Sequence, residues 1–167
     1  NYLIQKGHSV TVVTPSDYPV FLYWLPGNDG VIDLGRLPSE ATAAVDKAEV
    51  IFCLDFNMLN RIEDLAPVVE RSRAVKVMLD HHLGPQAFCD HTYSFTEASS
   101  TSELVFRLIE ALGDRQLVNK AVAECLYTGI MTDTASFRFA TMRANTHRLV
   151  AELIDAGAEN FRIHERI

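Results

Sequence analysis

The sequence predicts an α/β fold: a doubly wound, mostly parallel sheet with helices on both faces, followed by a helical C-terminal half. Two apolar runs of strand length, at 48–54 and 74–79, each end directly at an aspartate. A helical pattern at 65–73 separates them, and alternation of strand and helix builds parallel sheets with right-handed crossovers. Beyond about residue 96, apolar residues recur at helical spacing instead. That change of period predicts a cover of helices.

Short elements separated by glycine and proline make up the first half of the chain. Gly7 ends a helical opening segment, since glycine is common where helices end. The β-branched run at 8–15 predicts a strand that stops at Pro15. The run at 48–54 is almost continuously apolar, which predicts a strand buried on both faces. The other elements predicted in this half are a short helix at 17–25, a strand at 31–34 and a helix at 39–47.

Amphipathic helices dominate the second half. Apolar residues three and four positions apart predict helices at 101–112, 117–131 and 145–156, and the first and last of these are followed by glycine. We assign residues 1–160 to one domain and 161–167 to the start of a linker. Because the chain opens inside a helix, we expect a preceding strand and helix to belong to the same domain.

The charge balance restricts the partners of the protein. Fifteen lysines and arginines stand against 22 aspartates and glutamates, a net charge of −7, which disfavours binding to long duplex nucleic acid. An anionic substrate must therefore be small, or its charge must be met by metal. No apolar run approaches the roughly 20 residues of a membrane span, so we expect a soluble, cytoplasmic protein. The three cysteines lack the spacing of a zinc knuckle or a disulfide framework.

Carboxylates and imidazoles follow the two buried strands. Asp55 and Asp80 each come where a strand ends, and the carboxyl ends of parallel strands face one crevice. His81 and His82 come next, and this donor set suits Mn, Fe, Co, Zn or Mg. Two plainer alternatives remain: the aspartates cap the following helices, or the histidines form a structural pair.

Asp133 lies just past the helix that ends near Met131, where the helix dipole disfavours a carboxylate. A divalent cation nearby would reverse that penalty. The alternative is an aspartate that closes a local turn. Ser99 and Ser100 either bind a phosphate at the start of a helix or simply cap it. Cys89, close to His91, is more simply a loop cysteine than a nucleophile, because no third orienting group is evident.

Four separated motifs together resemble the DHH phosphoesterase superfamily. They are Asp55 after its strand, Asp80-His81-His82, the segment 98–103 that opens a helix, and the segment 129–139 around Asp133. Their order is that of the family, and the resemblance covers residues 1 to about 160. Within the superfamily, the chain is most similar to the bifunctional oligoribonuclease and 3′-phosphoadenosine-5′-phosphate phosphatase branch.

This resemblance implies roles for individual residues. Asp55 would bridge two divalent metal ions, usually manganese, and His81 and Asp133 would bind the second of them. Asp80 would orient His81, and His82 would contact the scissile phosphate.

Arg138 would help to bind substrate. The family's first metal-binding motif would precede residue 1 and its substrate-binding domain would follow residue 167. We therefore expect the 167 residues alone to be poorly active.

The function expected is a metal-dependent phosphoesterase that hydrolyses short oligoribonucleotides or small nucleotide phosphates by a two-metal mechanism. Cyclic dinucleotides, pyrophosphate and polyphosphate remain alternative substrates, and a homodimer is left open. The alternative function is a non-catalytic or truncated nucleotide-binding or interaction module of the same fold.

Overall fold

A computed structural model describes all residues, 1–167, and the chain folds as two compact units. We call residues 11–19 and 29–96 the sheet unit, because they contain every strand. Residues 1–10, 20–28 and 97–167 form the helical unit. No helix is both long enough and apolar enough to span a membrane.

All strands of the sheet unit pair in parallel. They form a two-stranded sheet, β1-β2, and a three-stranded sheet in the order β3-β4-β5. The elements of this unit are β1 Val12–Thr14, β2 Val31–Asp33, α2 Pro38–Lys47, β3 Val50–Leu54, α3 Ala66–Arg71, β4 Val75–Asp80 and β5 His91–Ser94. The α/β class and the parallel pairing expected from the sequence are confirmed.

The core of the sheet unit lies on one face of β3 and β4. Cys53 and Met78 are fully buried there against α2 and α3 residues such as Val45 and Val69. The side chains that alternate with Cys53 on β3 remain exposed: Val50, Phe52 and Leu54. The expectation that this strand is buried on both faces was therefore wrong, because a continuous apolar run does not reveal whether both faces are covered.

The helical unit consists of α1 Tyr2–Gln5, α4 Thr101–Ala111, α5 Lys120–Asp133, α6 Ala144–Asp155 and α7 Asn160–Arg166. Their apolar faces share a core that includes Phe106, Leu126 and Leu153. The helical C-terminal half is thus confirmed. Residues 161–167, assigned to the start of a linker, lie mostly in α7, where Ile163 is buried in that core.

Two elements differ from the sequence prediction. The helix expected at 17–25 is only a 3-10 turn at Val20–Leu22, since Pro19 and Pro26 restrict the segment. Strand β5 was not predicted, because His91, Thr92 and Tyr93 are all exposed and show no apolar alternation.

Candidate metal centre

The ends of β3 and β4 bring two acidic residues to one edge of the sheet. Leu54 pairs with Leu79 in the parallel register, so Asp55 and Asp80 follow at adjacent positions. The Asp55 N–H continues the ladder by donating to the Leu79 carbonyl at 3.1 Å. The predicted placement of both carboxylates at the same sheet edge is confirmed.

Asp55 has an unusual backbone conformation for a residue with a side chain. Its φ of 66° lies in the left-handed region, which aspartate tolerates better than most residues but still at a cost of about 1 kcal/mol or more. This conformation turns the chain away from the sheet directly at the carboxylate, and the side chain remains exposed. Strain of this kind concentrates at functional positions.

Asp55, His81 and His82 form the metal-ligating cluster of the sheet unit. Their ligand atoms all lie within 4.8 Å of one another. His81 Nε2 is 3.5 Å from Asp55 Oδ1, and the two imidazole rings lie 4.7 Å apart. One carboxylate oxygen with imidazole nitrogens is a donor set that first-row divalent metals accept. The residues present therefore fit a divalent metal ion.

Asp80 supports this cluster from below the surface. It is 0% exposed, and its Oδ2 accepts a hydrogen bond from the His82 N–H at 2.7 Å. Its Oδ1 is 2.9 Å from His82 Nδ1. This contact fixes the orientation of the ring and does not involve its second nitrogen, Nε2. The resemblance had implied that Asp80 orients His81. The structure pairs Asp80 with His82, since the backbone turn returns the second histidine to the carboxylate. Orientation of His81 by Asp80 stays a prediction.

Asp133 belongs to the helical unit and is the last residue of α5, two residues later than the helix end expected near Met131. Three successive residues with positive φ follow closely: Ala135, Ser136 and Phe137. Left-handed backbone is costly for residues with side chains and rarely continues over several of them. Asp133 as a metal ligand stays a prediction.

The other predicted site residues also lie in the helical unit. Ser100 caps α4, since its side chain accepts from the Glu103 N–H at 3.1 Å, which confirms the capping alternative. Ser99 is buried, and its Oγ donates to Glu103 Oε2 at 2.6 Å. Arg138 is exposed, and its Nε donates to the Ala135 carbonyl at 2.7 Å. Substrate binding by these three residues stays a prediction.

Burial argues against thiol chemistry near this edge of the sheet. It raises the pKa of the Cys53 thiol well above its ordinary value, and it also raises the pKa of Cys89. A reactive cysteine needs a lowered pKa. The interpretation of Cys89 as an ordinary loop cysteine is thus supported.

One buried polar residue was missed by sequence reasoning. Asn57 is 0% exposed, two residues beyond Asp55, and its side chain bonds the Leu83 carbonyl. The signal in the sequence was the position of Asn57, a polar residue in the loop that follows the strand-end residue Asp55. The pairing of β3 with β4 decides that its side chain reaches the loop containing Leu83.

A parallel sheet whose adjacent strand ends carry Asp55 and an Asp-His-His sequence defines the class to which this protein belongs. Residues 2–130 match the DHH family, N-terminal domain. The chain belongs to the DHH family.

Its relatives include two proteins named bifunctional oligoribonuclease and PAP phosphatase NrnA. The one from Thermus thermophilus is 30% identical over 155 residues, 91% of this chain and 43% of that protein. The one from Bacillus subtilis is 33% identical over 84 residues, 50% of this chain and 27% of that protein. The resemblance to this branch of the family is confirmed.

A crystal structure of an exopolyphosphatase-related protein from Bacteroides fragilis superposes with a TM-score of 0.97 at 39% identity. The match covers 99% of this chain and 48% of that one. The chain thus spans less than half the length of each of these three proteins.

Proposed function

We propose that this chain acts in a metal-dependent phosphoesterase that hydrolyses short oligoribonucleotides or small nucleotide phosphates. The observation that carries the proposal is the cluster of Asp55, His81 and His82 at the ends of two paired strands, with Asp80 buried behind it. Membership of the DHH family and the names of the relatives support the same reaction class.

Asp55 and His81 are the proposed metal ligands of the sheet unit, since a carboxylate oxygen and an imidazole nitrogen lie 3.5 Å apart there. The proposed metal is manganese, with two ions in the intact protein. Divalent ions at such a site supply Lewis-acid stabilisation of the phosphoryl oxygens and a lowered pKa for water. Bound metal is also compatible with the net charge of −7, because it replaces the cationic surface that an anionic substrate otherwise needs.

His82 is the proposed contact to the scissile phosphate. Its side chain is 33% exposed, so substrate can reach it, while Asp80 holds Nδ1. A buried carboxylate on Nδ1 fixes the tautomer and the orientation of the ring. Nε2 is then the ring nitrogen that can contact a phosphate oxygen.

The remaining assignments from the family resemblance are proposals of the same kind. They comprise Asp133 as a further metal ligand and Arg138, Ser99 and Ser100 as substrate-binding residues, within a catalytic domain at 1–160. Homodimerisation and a cytoplasmic location are proposed with them. No observation favours the non-catalytic alternative. The following experiment distinguishes it from the enzyme.

Replacing each histidine separately by alanine tests the division of labour. His81→Ala removes a metal ligand, so manganese content and hydrolysis of a short RNA fall together. His82→Ala keeps its manganese and loses turnover by about 10²- to 10⁴-fold, as expected for a lost proton-transfer or charge-stabilising group. Elemental analysis and hydrolysis assays on the full-length protein measure both quantities.

His91→Ala is the matched control, because His91 is exposed on β5 outside the cluster. It retains both manganese and activity. Equal loss of manganese in His81→Ala and His82→Ala would assign His82 to the metal instead of the phosphate. Nucleotide binding without hydrolysis in the wild-type protein would favour the non-catalytic module.

A further inference from the structure

Asn57 joins the two loops that carry the metal-ligating cluster. We define the aspartate loop as residues 55–59 and the histidine loop as residues 81–86. The Asn57 side-chain amide donates to the Leu83 carbonyl at 3.0 Å. In return, the Gln86 N–H donates to the Asn57 carbonyl at 2.8 Å. A third bond runs from the Leu59 N–H to Gln86 Oε1 at 3.2 Å.

The histidine loop has few other attachments beyond the histidines. Residues 83–87 are all exposed, and Leu83 has 82% of its surface in solvent. Apolar burial therefore does not hold this stretch in place. The adjoining ring pair of Phe56 and Phe88, with centroids 6.1 Å apart, lies at the far end of the loop. Close to the histidines, the bond from Asn57 to the Leu83 carbonyl links the loops beside the contact of His81 with Asp55.

A buried asparagine is a poor choice for stability alone. Asn57 is 0% exposed, and its Oδ1 atom has no hydrogen-bond partner. An apolar side chain at this position would avoid an unpaired buried carbonyl, which is costly. Residues that lower stability in this way are retained where function needs them.

We infer that Asn57 is a positioning residue that holds Asp55 and His81 at the separation a metal ion requires. The inference rests on the proposed metal site. Metal ligands must be fixed to within fractions of an ångström, and residues that support them typically change metal affinity by 10- to 100-fold when they are replaced. The hydrogen bonds of Asn57 run to the backbone of the histidine loop, so its effect is transmitted through loop geometry.

The test is a titration of the 167-residue chain with Co²⁺. Binding is monitored by the visible absorption of the ion, which reports ligand geometry. Asn57→Leu is expected to weaken cobalt affinity by about 10- to 100-fold and to alter the spectrum. Its urea unfolding midpoint is measured alongside, because leucine removes the unpaired oxygen but is larger than asparagine, and cobalt is titrated only into the folded variant. Gln86→Met, an exposed change that removes only the Leu59 link, is expected to weaken affinity by about two- to tenfold.

Val69→Ala is the matched control, because Val69 is buried on α3 in the same unit and belongs to neither loop. It lowers the unfolding midpoint and leaves cobalt affinity and spectrum unchanged. Unchanged affinity and spectrum in folded Asn57→Leu would overturn the inference while leaving the metal site intact.

Amide hydrogen exchange without metal separates this inference from the proposed function. Exchange at 55–59 and 81–86 is expected to accelerate in Asn57→Leu and not in Val69→Ala. Equal cobalt affinity in the wild-type chain and in His81→Ala would contradict the metal function. In that case, unchanged exchange in Asn57→Leu would overturn the link between the loops as well, and faster exchange would support it.

Discussion

Two buried carboxylates, one in each unit, are used in opposite ways. Asp80 in the sheet unit is 0% exposed, and both its oxygens bond to one residue, His82. The ring of His82 is 33% exposed, so this network ends at solvent. Glu103 in the helical unit has a side chain that is 2% exposed. Its carboxylate accepts hydrogen bonds from several residues of the same unit.

The donors to Glu103 come from three parts of the helical unit. Ser99 provides its N–H at 2.9 Å and its hydroxyl at 2.6 Å, and Thr146 on α6 provides a hydroxyl at 3.1 Å. Arg107, one turn along α4, supplies a charge-assisted bond. Such a saturated network ties α4 to α6 and stabilises the unit.

Partners of both acids reach the surface, since the Arg107 side chain is 35% exposed and that of His82 is 33% exposed. What separates the two carboxylates is the number of donors, because four donors hold Glu103 and one residue holds Asp80.

The largest expected change in stability comes from replacing Glu103 by glutamine. The amide cannot accept from all four donors, and its NH₂ group faces N–H and O–H groups. We expect a loss of about 2–4 kcal/mol in the free energy of unfolding, with manganese binding by the folded protein unchanged. Urea unfolding and metal titration measure the two effects. A fall in metal affinity would contradict the separation of structural and reactive carboxylates.

Replacing Asp80 by asparagine should give the reverse pattern. The amide keeps the shape of the side chain but removes the charge that fixes and stabilises the His82 ring. We expect turnover to fall by about 10- to 100-fold, in line with other supporting carboxylates, and unfolding to change by less than in Glu103→Gln. Steady-state hydrolysis and urea unfolding of the full-length protein provide the comparison. An activity equal to wild type would mean that the bond from Asp80 to His82 has only a local structural role.

A half-buried carboxylate near the surface, Asp114, should show the smallest effect. The Lys6 ammonium, 2.5 Å away, and then the Tyr2 hydroxyl hold the pKa of Asp114 below its ordinary value. The ionised form is therefore favoured by folding, and the stability it adds is complete above about pH 4. As the pH falls through the lowered folded value, that contribution disappears.

The difference in urea midpoint between wild type and Asp114→Asn should accordingly be small at pH 7 and decrease as the pH falls below about 4. Added salt should reduce it at neutral pH, because exposed charges are screened. A difference that stays constant with pH would show that packing, not charge, connects Asp114 to Lys6.

Local patterns were sufficient for much of the fold. The apolar run before Asp80 and the helical spacing at 101–112 each correspond to an observed element, β4 and α4. Ser100 was one of two serines expected either to cap α4 or to bind a phosphate, and capping acts within a single turn. The Asp-His-His sequence and the placement of Asp55 at a strand end also predicted the metal-ligating cluster, because parallel strands end on one edge.

What the sequence determined by itself is everything that depends on neighbours along the chain: the period of each element, its caps and the residues at its ends. Tertiary structure decided which side chains then meet. Asp80 bonds His82 because the turn after β4 folds back on the strand. Asn57 reaches Leu83, 26 residues away, only because β3 and β4 are paired. One face of β3 stays exposed although its residues are apolar, since burial depends on what packs against a strand and not on its composition.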